Sequence, residues 1–333
     1  MIRLEVRSFF REGYYPNPQY EFSMSILRLE HVVKSYDKNM AVDDVSFEVP
    51  RGSIFGLLGP NGAGKTSLIR IITTITRADS GAVYLDGELL NSRHPEQIGY
   101  MPEERGLYRK MKVGEHLLYL ARLKGLSARE ARDNIDYWFQ KFGITDWFDK
   151  KVEELSKGMQ QKIQFIATVI HRPKLLILDE PFSGLDPINT NLIKDEIHEL
   201  NRQGTSIIFS THRMEQVEEI CEYIVLINQG ENVLEGRVSE VKERFKRNRF
   251  RFGYRGALPT SFGAEFNVVE RRDHHVTVQL DEGEDSNQLL RHLLQEGIAI
   301  QSFNEILPTL NEIFIRQVGE DEGRRLLMGE QVG

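Results

Sequence analysis

A glycine-rich segment of eight residues constrains this chain more than any other feature of its sequence. It reads Gly59, Pro60, Asn61, Gly62, Ala63, Gly64, Lys65 and Thr66. The apolar run Ile54–Leu58 precedes it, and a helix-forming run, Ser67–Ile72, follows. Glycines let backbone N–H groups turn inward around a phosphate, and the positive end of the following helix favours the same anion. The segment therefore predicts a phosphate-binding loop between a strand and a helix.

Two side chains at the end of this loop have the chemistry of nucleotide binding. We expect Lys65 to reach the β- and γ-phosphates of ATP, and Thr66 to offer its hydroxyl to Mg²⁺. A chance match is the alternative, on the order of one in a hundred for a chain of this length from average residue frequencies. The strand and helix context lowers that chance further, so ATP and Mg²⁺ are the predicted cofactors.

A second apolar strand ends in two acidic residues. The run Leu175–Leu178 is followed directly by Asp179 and Glu180. Burying an uncompensated carboxylate costs free energy, so a cation or a proton should balance it. We expect Asp179 to hold Mg²⁺, directly or through water, and Glu180 to polarise the attacking water. The alternative is that both acids only cap the helix that follows.

The alternation of strands and helices predicts an α/β fold with a mainly parallel, helix-covered sheet. The candidate strands are nearly unbroken apolar runs, as expected for strands buried on both faces. They are residues 53–58, 175–178, 206–209 and 223–227. Alternating runs at Ala41–Val49 and Gly81–Leu85 predict an antiparallel subdomain. From about 108 to 158 the period becomes helical, which predicts a helical insertion.

The 333 residues are predicted to form one large and one smaller domain, on a prior of about 150 residues per domain. Residues 1–24 are predicted to be an N-terminal extension, whose first 23 residues are either loosely held or precede a biological start at Met24. Residues 25–242 form the predicted ATP-binding domain. Residues 243–318 are predicted to form a small α+β accessory domain, and residues 319–333 a polar tail.

Composition excludes several classes of protein. The net charge of −7 disfavours wholesale coating of nucleic acid. A single cysteine, Cys221, excludes an internal disulfide and a multi-cysteine metal site. No apolar run approaches the roughly 18 residues of a membrane span, and the N-terminus does not resemble a secretory signal. The expected location is therefore the cytoplasm.

Three further segments make a family resemblance specific. They are Leu155–Gln161, which begins Leu-Ser-Lys-Gly-Met, then Ser183–Asp186, and then Ser210–His212. With the phosphate loop and the two acids, their order resembles the ATP-binding subunit of an ABC transporter over Ile26 to about Gly236. The segment that ends in Leu307–Phe314 resembles the C-terminal domain of single-cassette ATPases of the ABC-2 export type. That group includes sodium-export and drug-resistance ATPases.

The resemblance implies roles for several side chains. Tyr36 would stack on adenine, and Ser67 would contact the α-phosphate. His212 would sense the γ-phosphate, and Asp186 belongs to the loop through which two cassettes sense each other. Taken alone, Tyr36 would more often be a packing residue, and His212 a capping or surface residue.

The family signature usually reads LSGGQ, and this chain departs from it at Lys157 and Met159. Ser156 and Gly158, which would bind the γ-phosphate of the opposite subunit, are kept. We expect the motif to remain functional. A helix beginning near Met159 would add its N-terminal N–H groups to that phosphate.

A second departure is Glu103, which occupies the position where transport ATPases normally have glutamine. A carboxylate can accept a hydrogen bond from Mg²⁺-bound water, but it cannot donate one as an amide does. We therefore expect Glu103 to keep a catalytic and metal-binding role with altered coupling.

One phosphate loop and one signature imply a homodimer with two ATP molecules at its interface. The resemblance further implies an integral membrane permease as partner, on the inner face of the cell membrane. We expect the permease to dock in a groove around Glu104–Met111, with Leu107 and Tyr108 as candidate contacts. Ordinary anchoring of the loop explains these two side chains equally well.

Other functions remain as alternatives. A soluble ABC-type ATPase acting on the ribosome or DNA is the second reading, although such relatives usually carry two cassettes or a coiled-coil insertion. A non-hydrolysing regulatory module is disfavoured by the presence of Lys65, Asp179, Glu180 and His212. Basic and aromatic residues interleave over 242–255, a pattern that can bind nucleic acid. Alternation in a half-buried strand explains the spacing better, so no nucleic-acid partner is expected.

Overall fold

A computed structural model describes residues 25–37, 39–104, 106–258, 262, 266–281 and 283–327 of the chain. The predicted extension, residues 1–24, lies outside these residues. The chain divides into two compact units. The first comprises the chain up to His212 together with Ile220–Glu235, and the second comprises Arg213–Glu219 together with the chain from Gly236 onward. Residues 236–242, predicted to be part of the ATP-binding domain, thus group with the second unit.

A six-stranded sheet forms the centre of the first unit, in the order β10-β9-β3-β8-β7-β6. Its strands are β3 Ile54–Leu58, β6 Ile98–Met101, β7 Leu175–Asp179, β8 Ser206–Thr211, β9 Tyr223–Asn228 and β10 Glu231–Arg237. Pairing is parallel from β6 through β7, β8 and β3 to β9. Every residue of β3, β7 and β8 is buried, which explains their unbroken apolar sequences. The predicted parallel α/β sheet is confirmed.

An antiparallel sheet packs on the same hydrophobic core. Its strands are β1 Ser25–Tyr36, β2 Asn39–Pro50, β4 Ser80–Leu85 and β5 Glu88–Leu89, in the order β2-β1-β4-β5. Helix α1, Lys65–Ile72, contributes Leu68 and Ile69 to a core that also contains Val45 of β2 and Leu57 of β3. One core therefore fixes the phosphate-loop segment between the two sheets.

The inserted segment is helical, as its period predicts. It contains α2 Val113–Leu123 and α3 Ala128–Phe142, followed by α4 Lys157–Val169. The five predicted apolar residues of α3 are all buried, namely Ala131, Ile135, Trp138, Phe139 and Phe142. The expectation that α4 begins near Met159 is off by two residues, because Ser156 is the N-cap and accepts from Met159 N. Helix α5, Pro187–Arg202, follows β7.

The second unit is an α+β fold. Its sheet has the order β12-β13-β11-β14, with β11 Arg249–Arg255, β12 Asn267–Arg272, β13 His275–Gln279 and β14 Ala299–Ile306. Its helices are α6 Met214–Ile220, α7 Val238–Arg244, α8 Ser286–Gln295 and α9 Leu310–Leu327. The sequence analysis missed β12, whose exposed and partly buried residues leave no apolar run. Helix α9 continues to Leu327, so the tail predicted from residue 319 begins within a helix.

The basic and aromatic stretch of the second unit follows strand alternation. Phe252 and Tyr254 are buried in the core, and Phe250 stacks on Phe303 with ring centroids 5.6 Å apart. Arginines that alternate with these aromatic residues form ion pairs. Arg249 pairs with Glu312, and Arg251 pairs with Glu270. The sheet core and these ion pairs therefore account for the spacing. Within the described residues, no helix has the length and apolar character that crossing a membrane requires.

Candidate functional site

The phosphate loop leaves β3 in a conformation that only glycine accommodates at two positions. Gly59 has a φ of +149°, and a Cβ placed on it would lie 2.1 Å from Ile227 O. Gly64 has a φ of +109°, and its Cβ would lie 2.3 Å from Ala41 O. Gly64 is also the N-cap of α1, and having no side chain it leaves the first-turn N–H groups to a ligand. The loop is thus shaped as an anion cradle at a helix N-terminus.

Lys65 folds back over this loop. Its Nζ donates to Gly59 O at 2.8 Å and to Pro60 O at 2.9 Å, and the side chain is only 9% exposed. Burial lowers the pKa of Lys65, against the opposing attraction of Asp179, Glu180 and Glu103. The ammonium is therefore held among acidic groups at the point where a phosphate would sit.

Asp179, at the end of β7, is 8% exposed and accepts a hydrogen bond from Ser210 Oγ at 2.7 Å. Burial is the main cause that raises its pKa, and the charges of Glu180 and Glu103 act in the same direction. Ser210 and Lys65 oppose the shift without cancelling it. Asp179 therefore pays a desolvation penalty that a bound cation would relieve.

Glu180 is held by the end of β8. Its Oε1 accepts from His212 N at 2.8 Å and lies 2.6 Å from His212 Nδ1, while its Oε2 accepts from Thr211 Oγ1 at 3.0 Å. Because a carboxylate oxygen only accepts, the proton of this contact is on Nδ1. Glu180 also has a φ of +48°, an uncommon conformation for a residue with a side chain. Several contacts therefore fix one orientation of this carboxylate.

Glu103 follows β6 and is exposed, and its charge acts on both Lys65 and Asp179. Thr66 is exposed at the start of α1, and Ser67 follows it. Five side chains that the sequence predicts to act together therefore lie around the phosphate loop. They are Lys65, Glu103, Asp179, Glu180 and His212.

Two buried glutamines of α4 were not found by the sequence analysis. Gln161 Nε2 donates to Pro181 O at 3.0 Å, directly after Glu180. Gln164 Nε2 donates to Pro102 O at 2.8 Å, directly before Glu103. Both glutamines are buried. Two glutamines three residues apart share one face of a helix, and this spacing is the signal that could have revealed them.

The signature residues lie elsewhere in the first unit. Ser156 Oγ accepts from Met159 N at 3.3 Å, and Lys157 is exposed in the first turn of α4. A Cβ on Gly158 would lie 3.7 Å from Asn189 Nδ2 and 4.0 Å from Leu185 Cδ2. Asp186 is the N-cap of α5 and accepts from Asn189 N at 3.0 Å. The signature therefore neighbours the Asp186 loop.

In the described part of the chain, Ser156 and Met159 are hydrogen-bonded to each other, and Gly158 lies nearest to Asn189 and Leu185 rather than to the phosphate loop. Tyr36 also stands apart, since it is exposed at the end of β1 with Lys34 Nζ 5.4 Å from its ring centre. The chain thus presents two separate surfaces that the sequence assigns to ATP.

The donor set near the loop fits Mg²⁺ bound together with a nucleotide. Three carboxylates, Asp179, Glu180 and Glu103, surround one lysine, which leaves the cluster short of positive charge. Yet among the described residues no group of three or more His, Cys, Asp and Glu side chains could hold a metal ion alone. Mg²⁺ usually binds through one or two carboxylates plus substrate phosphates, which agrees with this arrangement.

Comparisons with known proteins agree with this geometry. The family model for ABC transporters matches residues 42–183, and that for the C-terminal domain of DrrA1-3-like ATP-binding proteins matches residues 236–318. An uncharacterized ABC transporter ATP-binding protein of Bacillus subtilis strain 168, YhaQ, is 43% identical over 88% of this chain and 99% of its own length. The linearmycin resistance ATP-binding protein LnrL of the same strain is 35% identical over 66% of this chain and 71% of its own length.

A solved structure of the ATP binding subunit of an ABC transporter has a TM-score of 0.63 at 29% identity, over 66% of this chain and 93% of that one. The parallel sheet, the phosphate loop and the strand-end acids thus define a nucleotide-binding ATPase cassette. The chain belongs to the ATP-binding proteins of ABC transporters, and it is an ATPase of that family.

The backbone of the loop yields a first prediction. In Gly62→Ala the new Cβ would have no atom within 4 Å, so the φ of +81° is the only source of strain. We therefore expect a loss of about 1–2 kcal/mol in the free energy of unfolding. Gly59→Ala should lose clearly more, because its Cβ must also displace Ile227 O. Urea unfolding of both variants without nucleotide measures the difference. Equal losses would contradict the close approach of Gly59 to β9.

A second prediction concerns the buried acid. Because the pKa of Asp179 is raised on folding, its protonated form stabilises the protein at low pH, and this stabilisation is lost as pH rises through the folded-state pKa. Asp179→Asn should therefore unfold at higher urea than wild type at pH 7 and lose this advantage toward pH 4. Asp186→Asn is the control with the opposite sign, because Asn189 N lowers the pKa of Asp186. A stability gain in the control, or none in Asp179→Asn, would contradict the assignment.

Proposed function

We propose that this protein is the ATP-hydrolysing subunit of an ABC-2-type exporter and works as a homodimer in which each copy completes the nucleotide site of the other. The observation that carries the proposal is the separation of the phosphate loop from the signature within one chain. The loop has the acids and His212 around it, whereas Ser156 and Gly158 lie beside the Asp186 loop. A second copy can bring the two surfaces to one ATP.

The first half-site would bind ATP and prepare its hydrolysis. Tyr36 would stack on adenine, Lys65 and the loop N–H groups would hold the β- and γ-phosphates, and Ser67 would contact the α-phosphate. Glu180 would accept the proton of the attacking water. Its three contacts with Thr211 and His212 support this role, because they hold the carboxylate in one orientation.

Mg²⁺ would be held by Thr66 Oγ1 and Asp179, with Glu103 accepting from its bound water, and would supply charge stabilisation to the transferring phosphoryl group. His212 would contact the γ-phosphate through the ring nitrogen that does not face Glu180, and this nitrogen can donate only when both ring nitrogens carry a proton. Lys65 would exchange its two backbone acceptors for phosphate oxygens. Loss of the γ-phosphate would then remove the contacts on which the dimer depends.

The second half-site would act on the partner's ATP. Ser156 stands at the N-terminus of α4, and Lys157, Gly158 and Met159 form the first turn, where free N–H groups favour a phosphate. A Cβ on Gly158 would make only ordinary contacts, with Asn189 Nδ2 of α5 at 3.7 Å and with Leu185 Cδ2 at 4.0 Å, so no backbone atom packs tightly over this turn. Asp186 would report this contact to the other copy, since it neighbours the signature and caps α5.

A groove of about 530 Å³ in the first unit would receive a helix of the permease. Its exposed lining is mainly apolar, although Glu96 and Lys124 also contribute to it. Two of its apolar side chains are strongly exposed, Ile75 at 63% and Leu123 at 61%. Leu107 lines the groove, whereas Tyr108 packs against His116 and Tyr119. An exposed apolar groove of this kind suits a helix from a membrane protein. The subunit would then lie on the cytoplasmic face of the membrane.

Export is supported by two likenesses. The second unit resembles the C-terminal domain of DrrA1-3-like ATP-binding proteins, and the relative LnrL is named for linearmycin resistance. A role on the ribosome or DNA is not favoured by the comparisons, whose names are those of transporter subunits.

The dimer hypothesis is tested with Glu180→Gln, which removes the proton acceptor but keeps a similar shape. We expect the variant to form an ATP-stabilised dimer in size-exclusion chromatography with turnover reduced at least about a hundredfold. Glu199→Gln on the surface of α5 is the matched control and should remain active. An ATP-loaded Glu180→Gln protein that stays monomeric would overturn the proposed mechanism.

The docking groove is tested with Leu123→Asp. We expect the variant to keep its ATPase activity in solution and to lose co-purification with a multi-spanning membrane protein from detergent extracts. Leu294→Asp in the second unit is the control, because Leu294 is exposed to a similar degree as Leu123. This variant should still co-purify with the membrane protein. Retention of the membrane partner by Leu123→Asp would remove the groove from the proposal.

A further inference from the structure

Gln164 is a buried polar residue of α4 between the apolar Ile163 and Phe165, and it is only 4% exposed. Its Nε2 donates to Pro102 O at 2.8 Å. Its Oε1 is buried and has no hydrogen-bond partner among the described residues. Half of the carboxamide is therefore satisfied by a loop, and the other half is left without a partner.

An arrangement of this kind is not explained by stability. Burying an amide oxygen without a partner costs free energy that offsets much of what the single hydrogen bond contributes. Methionine or leucine would fill the same space without that penalty. Neighbouring residues of α4, such as Ile163 and Phe165, are apolar and fully buried. The carboxamide of Gln164 therefore requires a reason other than packing.

The loop that Gln164 holds leads directly to the acidic cluster. Pro102 follows Met101, the last residue of β6, which pairs with Leu178 of β7 just before Asp179. Proline has no N–H, so its carbonyl is the only backbone group with which Pro102 can be anchored. The next residue is Glu103, whose charge acts on Lys65 and Asp179.

We propose that Gln164 is a positioning residue for ATP hydrolysis, which fixes Pro102 and thereby sets where the carboxylate of Glu103 stands relative to Lys65 and Asp179. Glu103 cannot donate a hydrogen bond, and the amide that holds this loop comes from α4 instead. This inference rests on the role proposed for Glu103 beside the nucleotide-bound Mg²⁺.

The same residue reaches the groove proposed for the permease. Gln164 and Pro102 both line that groove, together with Thr168 one turn further along α4. A helix seated there would contact the Gln164–Pro102 pair, and Glu103 is the residue that directly follows Pro102. Gln164 thus connects the groove to the acidic cluster through one hydrogen bond.

The first test is Gln164→Met, which keeps the length of the side chain and removes the donor. We expect kcat to fall about tenfold and the Mg²⁺ concentration for half-maximal rate to rise, with the affinity for ATP unchanged. Asn134→Leu is the matched control, because Asn134 Nδ2 likewise donates to a backbone carbonyl, Ile170 O at 2.8 Å, but Asn134 lines neither the groove nor the acidic cluster. The control should stay within about twofold of wild type.

A second readout needs no turnover. In the nucleotide-free protein, hydrogen exchange of the Tyr100 and Met101 amides, which lie in the β6–β7 pairing directly before Pro102, should be faster in Gln164→Met and unchanged in Asn134→Leu. Gln164→Asn, which retains the amide on a shorter chain, should behave like Gln164→Met because it cannot reach Pro102 O. Circular dichroism and urea unfolding establish that each variant is folded. Unchanged exchange in both Gln164 variants would overturn the proposal.

A double-mutant cycle separates this inference from the function on which it rests. If Gln164 acts through Glu103, Gln164→Met should add little to the kinetic defect of Glu103→Ala. Full additivity of the two defects in a wild-type background that hydrolyses ATP would refute the positioning role alone. Failure of the wild-type protein to hydrolyse ATP would instead refute the role of the site.

Discussion

The structure depends on the burial of charge at one edge of the parallel sheet. Asp179 ends β7 inside the protein, and its ionised form is destabilised there by burial and by neighbouring carboxylates. Lys65 answers this charge only in part, because its own ammonium is desolvated as well. A protein that stores uncompensated charge beside an anion cradle is prepared for a ligand that carries both a cation and phosphates. The desolvation of these charges and the fit of this edge to such a ligand therefore have a common origin.

The second constraint belongs to the proposed mechanism, in which contacts with the terminal phosphate would be divided between two surfaces of the chain. The N-terminus of α1 offers one set of N–H groups, and the N-terminus of α4, behind Ser156, offers another. Helix α4 is also hydrogen-bonded to the loops beside Glu180 and Glu103. Gln161 donates to Pro181 O, and Gln164 donates to Pro102 O. Movement of α4 and of the acidic loops is therefore mechanically linked, which suits a machine that converts phosphate contacts into displacement of a partner.

Much of this could be predicted from local patterns. The residues of β3, β7 and β8 are apolar throughout because strands covered on both faces are buried, and the apolar stripe of α3 follows the helical period. Strand β12 was not predicted, because an edge strand with exposed residues has no apolar run of this kind. The roles of Gln161 and Gln164 were not predicted for another reason. Their partners, Pro181 and Pro102, are distant in sequence, and the meaning of a buried amide depends on its partner.

The sequence by itself determined the phosphate loop, the strand-end acids and the order of the elements, because each is a local pattern of backbone freedom, charge or apolar spacing. Only the tertiary structure decided that Glu180 is oriented by Thr211 and His212 and that Asp179 is held by Ser210. It also decided that the signature lies beside Leu185 and Asn189 rather than at the phosphate loop. These contacts join segments that are far apart in the chain, and they exist only when parallel strands bring their ends to one edge of the sheet.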